Sequence, residues 1–539
     1  MALNMDSFLR VRFLSGQRLP LAWPAAPDGV GLRNSCSKPC GRVALRPVRA
    51  AKVDTVTVEP PKTAPPTTVE EAPPEEELYM GSFSKYLDLN AEEAPLQDLV
   101  KFLADGKIGE VKSVRTPSGT VIDSPERRLA IVASLVLQKI ILGVATPGVG
   151  TMTVMMNMLT QNNLSNLVWE FITGQMTFPD VNSQNFKSPF AFIDTRVQLD
   201  PSIKPSDGRY KAHICAMASK MSYENAERIR NTVRGYWNME FIEFFNCWEA
   251  FQKEYTTQGF IMSDKPVESG EAELVVVAFR GTNDAYDAAT DIDFSFFELP
   301  GVGAIHAGFM KALGMQTDGW PKEIEMSENR PYAYYLVRER LREILQKNPK
   351  AKFIATGHSL GGALAVIFPV ILKYHGEDEL LARMEGVYTF GQPRVGDAAL
   401  GRYAEELLDS TTRRYFRFVY NNDIVTRVPF DDNVFQFTHF GRCIYFDSLY
   451  RARDMNEEPN ENYFDPRYTI PKQMDAMWEL YRSFIIGYWK GQEYEESMVM
   501  KMMRAMGMMM PGLPNHSPQD YNNITRLGSL MGDPNTPDY

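Results

Sequence analysis

The segment Gly357-His-Ser-Leu-Gly361 is the part of this chain best equipped for chemistry. A serine between two glycines follows the β-prone run 353–356 and precedes a stretch of small and apolar residues. That is the pattern of a nucleophile elbow, a tight strand-to-helix turn that lifts one hydroxyl to the top of a sheet. Glycines suit the flanks because a Cβ there would crowd the neighbouring backbone. Ser359 would stand at a helix N-terminus, where free N–H groups and the dipole favour a developing negative charge. The pentapeptide alone is short, so its surroundings carry the argument. The helical pattern 338–347 stops at Asn348-Pro349, the strand follows, and 362–374 carries an apolar stripe ending at Gly376.

A serine attacks poorly unless a base takes its proton and a carboxylate orients that base. In an α/β-hydrolase arrangement the chain order is Ser, Asp, His. Asp423 follows the strand pattern 415–420, which puts its carboxylate on the same sheet edge as the elbow. Its competitor, Asp397, starts a helix and reads equally well as an N-cap. Asp423 is preferred. The histidines are His213, His306, His358, His375, His439 and His516. His375 ends the helix that Ser359 begins, about 20 Å away at ~1.5 Å per residue, and is excluded. His439 alternates with aromatics, as a structural strand residue would. His516 sits in the Pro/Gly-rich loop 511–518, where a base has room to reach Ser359. Spacing does not decide between these two.

Acyl transfer also needs two donors aimed at the tetrahedral oxygen. One expected donor is the backbone N–H of Leu360, just after the nucleophile. The other is Thr282, in the loop after the apolar strand 274–279, with a backbone N–H and a hydroxyl to offer.

The elements that must hold these groups read as α/β. Strand patterns at 274–279, 353–356, 387–390 and 415–420 alternate with helical patterns at 333–347, 362–374 and 398–409, which implies a mainly parallel sheet covered on both faces. Ahead of them, 83–108 reads as a short helical entry. The run 129–149 has Lys139 as its only charge and approaches the ~20 residues of a membrane span. Gly143, Pro147, Gly148 and Gly150 argue for an interrupted helix lying on a lipid surface. Past the sheet, 474–489 is an amphipathic helical pattern, and 498–510 holds eight methionines, suited either to acyl chains or to a soft core.

The net charge of −11 argues against a nucleic-acid partner. Residues 1–52 depart from that average, with seven Arg, two Lys and only Asp6 and Asp28, and resemble an organelle presequence. Residues 53–80 are a Pro- and Glu-rich linker. The five cysteines form neither a disulfide framework nor a metal-ligand spacing, and no cofactor is called for. The expected organisation is thus a tail (1–52), a linker (53–80), a helical lipid-associating region (81–190) and a catalytic domain (191–530).

Together, Phe279-Arg-Gly-Thr282, 302–309, Gly357-His-Ser-Leu-Gly361, Gly391-Gln-Pro-Arg394 and Asn422-Asp-Ile-Val425 resemble the class 3, or fungal-type, lipase family. The likeness is closer to its plant oil-body triacylglycerol lipases, through Ala218-Ser-Lys-Met-Ser-Tyr-Glu224, Asn460-Glu-Asn-Tyr-Phe464 and the block 511–521. The resemblance implies an α/β-hydrolase fold, Ser359 as nucleophile, Asp423 as acid, His516 as base, Thr282 and Leu360 as the oxyanion hole, and a lid over about 283–297. It implies an acylglycerol substrate at a lipid-droplet or membrane surface. A plastid phospholipase A1 or galactolipase is the alternative, and a catalytically dead lipid-droplet binding protein the reading from another class. Two departures stand out. Thr426 replaces the family's usual Pro, which should loosen the acid's loop slightly, and the extension 1–78 has no counterpart in the resemblance.

Overall fold

The apolar runs that alternate with helical patterns become the strands of a nine-stranded sheet among the described residues. The structure, a computed structural model, describes residues 83–530 except 84, 92–93, 106–112, 118–123, 162–169, 171, 174–176, 282–293, 318, 328, 410–411 and 430–436. The tail 1–52 and the linker 53–80 lie outside the described residues. In chain order the elements are β1 (Tyr86–Leu89), α1 (Leu96–Asp105), β2 (Val114–Arg115), α2 (Pro125–Gln161), α3 (Pro189–Ile193), α4 (Tyr210–Met221), α5 (Ala226–Asn231), β3 (Glu240–Glu249), β4 (Glu254–Ser263) and β5 (Leu274–Phe279). There follow β6 (Phe296–Leu299), β7 (Gly303–His306), α6 (Ala307–Leu313), α7 (Ala333–Lys347), β8 (Lys352–His358), α8 (Leu360–Tyr374), α9 (Asp378–Ala382), β9 (Met384–Phe390), α10 (Ala398–Leu408) and β10 (Tyr415–Tyr420). The chain continues through β11 (Cys443–Phe446), β12 (Arg451–Met455), α11 (Thr469–Lys490), α12 (Met498–Gly507), α13 (Pro518–Leu527) and β13 (Ser529–Leu530).

The sheet runs β13-β12-β11-β10-β9-β8-β5-β4-β3. Its centre, β5, β8, β9, β10 and β11, is parallel throughout. Register aligns Phe279 with Gly357, His358 with Phe390, and Phe390 with Phe418, so the C-terminal ends of four strands meet on one edge. Alternation sorts β5 cleanly. Val275, Val277 and Phe279 face a cluster built with Val337 and Leu341 of α7 and Leu364 and Phe368 of α8. Val276 and Ala278 face another, with Cys215 and Met217 of α4 and Ile524 of α13. Burial on both faces is why this strand reads as a continuous apolar run, each large side chain contributing about 1.5–3 kcal/mol.

Several elements differ from the sequence reading. The edge hairpin β3–β4 went unpredicted because register shifts at Phe241/Glu243 and Cys247/Trp248 break its two-residue period. The helical entry expected over 83–108 begins as β1, which pairs antiparallel with β6 about two hundred residues later, and becomes helical only at α1. Strands β2, β1, β6 and β7 form a separate four-stranded sheet. The interruption expected within 129–149 is also absent: α2 runs unbroken for 37 residues through Pro147. One proline costs a helix one hydrogen bond and a clash, and long flanks on both sides carry the helix past it. No helix among the described residues is long and apolar enough to cross a membrane.

Helix α11 reverses the usual amphipathic arrangement. Its inward face carries Lys472, Glu479, Arg482 and Ser483, all buried, while Ile470, Met474, Met477, Tyr481, Phe484 and Tyr488 are exposed. The neighbouring α12 repeats the scheme, burying Met500 and Arg504 and exposing Met498, Met502 and Met506. Of the two readings open for the Met-rich run, exposure is therefore the one observed for most of it. The inward charges are mutually paired: Arg482 and Arg504 lie 3.1 and 2.9 Å from Asp520, and Arg504 also meets Glu496 and Glu479.

Candidate active site

At the end of β8 the chain turns through Ser359, which has φ 60° and ψ −133° before α8 begins at Leu360. A serine at positive φ is strained, and the surrounding packing imposes it. A Cβ on Gly357 would lie 2.1 Å from the Gly361 backbone, and one on Gly361 would lie 2.3 Å from the Phe279 carbonyl. Both glycines are therefore required by close backbone approach. Gly281, after β5, comes as near, its virtual Cβ falling 2.5 Å from the His358 carbonyl. Its neighbour Thr282 lies outside the described residues, as do 283–293 of the expected lid. Leu360 opens α8, so its N–H has no partner within the helix and belongs to the first turn beside Ser359.

The structure brings Ser359, His516 and Asp423 together. His516 Nε2 is 2.8 Å from Ser359 Oγ, and His516 Nδ1 is 2.8 Å from Asp423 Oδ2 and 3.1 Å from Oδ1. The network assigns the tautomer: Nδ1–H donates to the carboxylate, which leaves the Nε2 lone pair facing the serine hydroxyl. Asp423 is fully buried, and the Val425 N–H donates to its Oδ1 at 2.9 Å. The Tyr521 hydroxyl donates to Oδ2. Burial, and then the neighbouring Asp423 charge, push the Tyr521 phenol well above its ordinary range, so it stays a donor.

The loop that carries Asp423 is tied down. The Thr426 hydroxyl donates to the Asp423 carbonyl at 3.0 Å, and the Arg427 guanidinium donates to the carbonyls of Asp423 and Asn421. Thr426 was expected to loosen this loop; its hydroxyl instead supplies a hydrogen bond that a proline has no group to make.

The rivals hold other posts. Asp397 caps α10, accepting from the N–H groups of Ala399 and Leu400 at 3.1 and 2.9 Å. His375 ends α8, with Nδ1 2.8 Å from the Tyr334 hydroxyl and Nε2 3.0 Å from the Trp320 carbonyl. The His439 side chain is buried, with Nε2 2.6 Å from the Thr426 carbonyl and 3.5 Å from Glu458. Burial, with Arg417 nearby, holds its imidazole well below the usual histidine range.

Sequence reasoning passed over His358, the residue before the serine. Its Nε2 donates to the His516 carbonyl at 2.9 Å, and its Nδ1 accepts from the Tyr223 hydroxyl at 2.8 Å. Burial keeps this imidazole neutral, well below its ordinary value. The only sequence signals for these helpers were Tyr223 in the quoted block 218–224 and Tyr521 in 511–521.

A class 3 lipase model matches residues 276–433, which hold the Gly357–Gly361 turn, Asp423 and most of β5. The chain is 36% identical over 483 residues to a triacylglycerol lipase of Nicotiana tabacum, the alignment covering 75% of this chain and 84% of that one. It is 35% identical over 500 residues to a triacylglycerol lipase of Arabidopsis thaliana, covering 83% and 96%. A triacylglycerol lipase of Ricinus communis is 36% identical over 413 residues, covering 67% and 78%.

Proposed function

The chain belongs to the class 3 lipase family, and we propose that it hydrolyses fatty acyl esters of triacylglycerol at a lipid surface through an acyl-enzyme on Ser359. The reading rests on one relay: serine hydroxyl to imidazole at 2.8 Å, and imidazole to buried carboxylate at 2.8 Å. As Ser359 Oγ bonds to the acyl carbon, its proton passes to His516 Nε2, and Asp423 stabilises the imidazolium. The carbonyl electron pair moves to oxygen, where the Leu360 N–H and Thr282 are the assigned donors. Collapse expels the glycerol oxygen, which takes the proton from Nε2. Water then repeats the sequence to release the fatty acid.

The lipid surface is supported by the exposed apolar faces of α11 and α12. They lead through Met509, Met510 and Leu513, also exposed, to the His516 loop. Leu129, Met152, Met155 and Leu159 expose further apolar area on α2. Exposed apolar area on this scale marks an interaction surface. Residues so close to the catalytic base would meet the same lipid phase as the substrate.

The test sets purified protein against triolein emulsion, phosphatidylcholine and a galactolipid side by side. Faster release from triolein is expected; a preference for either membrane lipid moves the substrate to the phospholipase or galactolipase reading. No fluorophosphonate labelling of the wild type would remove the acyl-enzyme altogether. A fluorescent fusion of 1–78 separates a plastid address from a lipid-droplet one.

A further inference from the structure

The inward stripe of α11 does more than fill space. Asp475, Glu479 and Arg482 recur at four and three residues, one helix face. Two of them reach the loops that flank the catalytic relay. Asp475 Oδ2 accepts from the Asn422 side chain at 2.9 Å. Glu479 Oε1 accepts from the side chains of Asn421 at 2.9 Å and Asn515 at 2.6 Å, and from the Tyr420 hydroxyl at 3.0 Å. Asn515 directly precedes His516, and Asn421 lies two residues before Asp423. One carboxylate oxygen therefore clasps the loop of the base and the loop of the acid at once.

Asn421 has a reason to need this hold. Its φ of 43° places it in the left-handed region, which even asparagine, more tolerant there than most side chains, keeps only when its surroundings hold it. The other carboxylate oxygen does different work: Oε2 accepts from Arg504 at 3.2 Å within the buried charge cluster. Burial raises the Glu479 carboxyl from its ordinary range while Arg504 and Arg482 pull it back. Its two oxygens thus divide between geometry and charge.

We propose that Glu479 is a positioning residue for the reaction, its Oε1 holding the Asn515–His516 and Asn421–Asp423 loops in the spacing that the relay requires. This rests on the reading of Ser359, His516 and Asp423 given above. The substrate-facing chemistry is untouched by Glu479, which acts only through the asparagines. Misplacing a catalytic group by about 1 Å costs roughly 100-fold.

The experiment counts competent sites by fluorophosphonate titration and measures turnover of a soluble ester, p-nitrophenyl butyrate, per titrated serine. Glu479→Ala is expected to lower kcat ~10–100-fold at unchanged KM. Glu479→Gln, which keeps an oxygen for the asparagines but loses the Arg504 pairing, is expected to recover kcat to within a few-fold while melting earlier. Asn515→Ala leaves the charge cluster intact and should lose kcat alone. Combined with Glu479→Ala, it should cost no more than the worse single change. Unchanged kcat per titrated site in Glu479→Ala overturns the proposal. If that variant fails to fold, unchanged kcat in Asn515→Ala overturns it equally. A wild type that takes no label defeats the acyl-enzyme reading instead, so the two failures are distinct.

Discussion

His358 donates through Nε2 to the backbone carbonyl of His516, 2.9 Å away, and the two rings lie 4.5 Å apart. The residue before Ser359 thus anchors the main chain of His516, although 158 positions separate them in sequence. The elbow fixes the serine and, through its neighbour, the histidine that must meet it.

Ser359→Ala should abolish fluorophosphonate labelling and lower kcat on the order of 10⁵–10⁶-fold, the loss seen when the nucleophile of such a relay is removed. Mass spectrometry of the labelled peptide checks the site. A fully active alanine variant would sink the mechanism.

His516→Ala and His439→Ala separate the base from its sequence rival. The first should lose turnover by a similar factor while staying folded. The second should chiefly lose stability, since a buried hydrogen bond to the Thr426 carbonyl disappears. If only His439→Ala loses turnover while remaining folded, His516 is not the base.

Stability should fall on acidification from about pH 6.5, the unperturbed histidine value. His213 is brought down to about 3 by burial and then Arg526; His358 and His439 are also held well below their ordinary range by burial. Each pKa is lower folded than unfolded, so the unfolded chain binds more protons in this window, and stability rises with pH there and levels off above it. The slope is about 1.4 kcal/mol per pH unit for each proton taken up. Urea midpoints between pH 5.5 and 7.5 measure it, and His439→Gln should reduce the slope by up to one proton. A flat profile would refute the assignment of these imidazoles as neutral.

Thr426→Val removes the hydroxyl that donates to the Asp423 carbonyl. Loss of one buried hydrogen bond predicts about 0.5–1.5 kcal/mol lower stability. Denaturant unfolding reads this directly, and a variant as stable as wild type would mean that the hydroxyl contributes nothing to the loop.

Replacing Tyr481, Phe484 and Tyr488 together by Ser removes apolar area from the outer face of α11. At roughly 1.5–3 kcal/mol per large side chain removed from water, even partial burial in lipid predicts at least a tenfold lower ratio of triolein-emulsion to soluble-ester activity. An unchanged ratio would take this face out of lipid contact.

Much of the site is legible along the chain because it is local. The elbow is five consecutive residues, its glycines are demanded by contacts within that turn and with the adjacent β5, and Asp423 follows directly from a strand end. The doubly buried strand β5 announces itself as an uninterrupted apolar run. The hairpin β3–β4 does not, since its bulges scramble alternation, and β1 is too short to be recognised without its distant partner β6.

His516 shows where local pattern ends. Ser359 and His516 are 157 residues apart, and Asp423 and His516 are 93 apart. From residue types and spacing both His439 and His516 remained eligible, and only resemblance to a family separated them. The fold separates them by contact: one imidazole is buried against the Thr426 carbonyl, the other lies between serine and carboxylate. Helix α11 makes the same point differently. Its periodicity declares two faces, one apolar and one charged, but a period carries no sign. Folding turned the charged face inward because Arg504, Asp520, Asn421 and Asn515 were waiting there to pair with it, and charges so paired can be buried. The apolar face was left outside, beside the loop of His516.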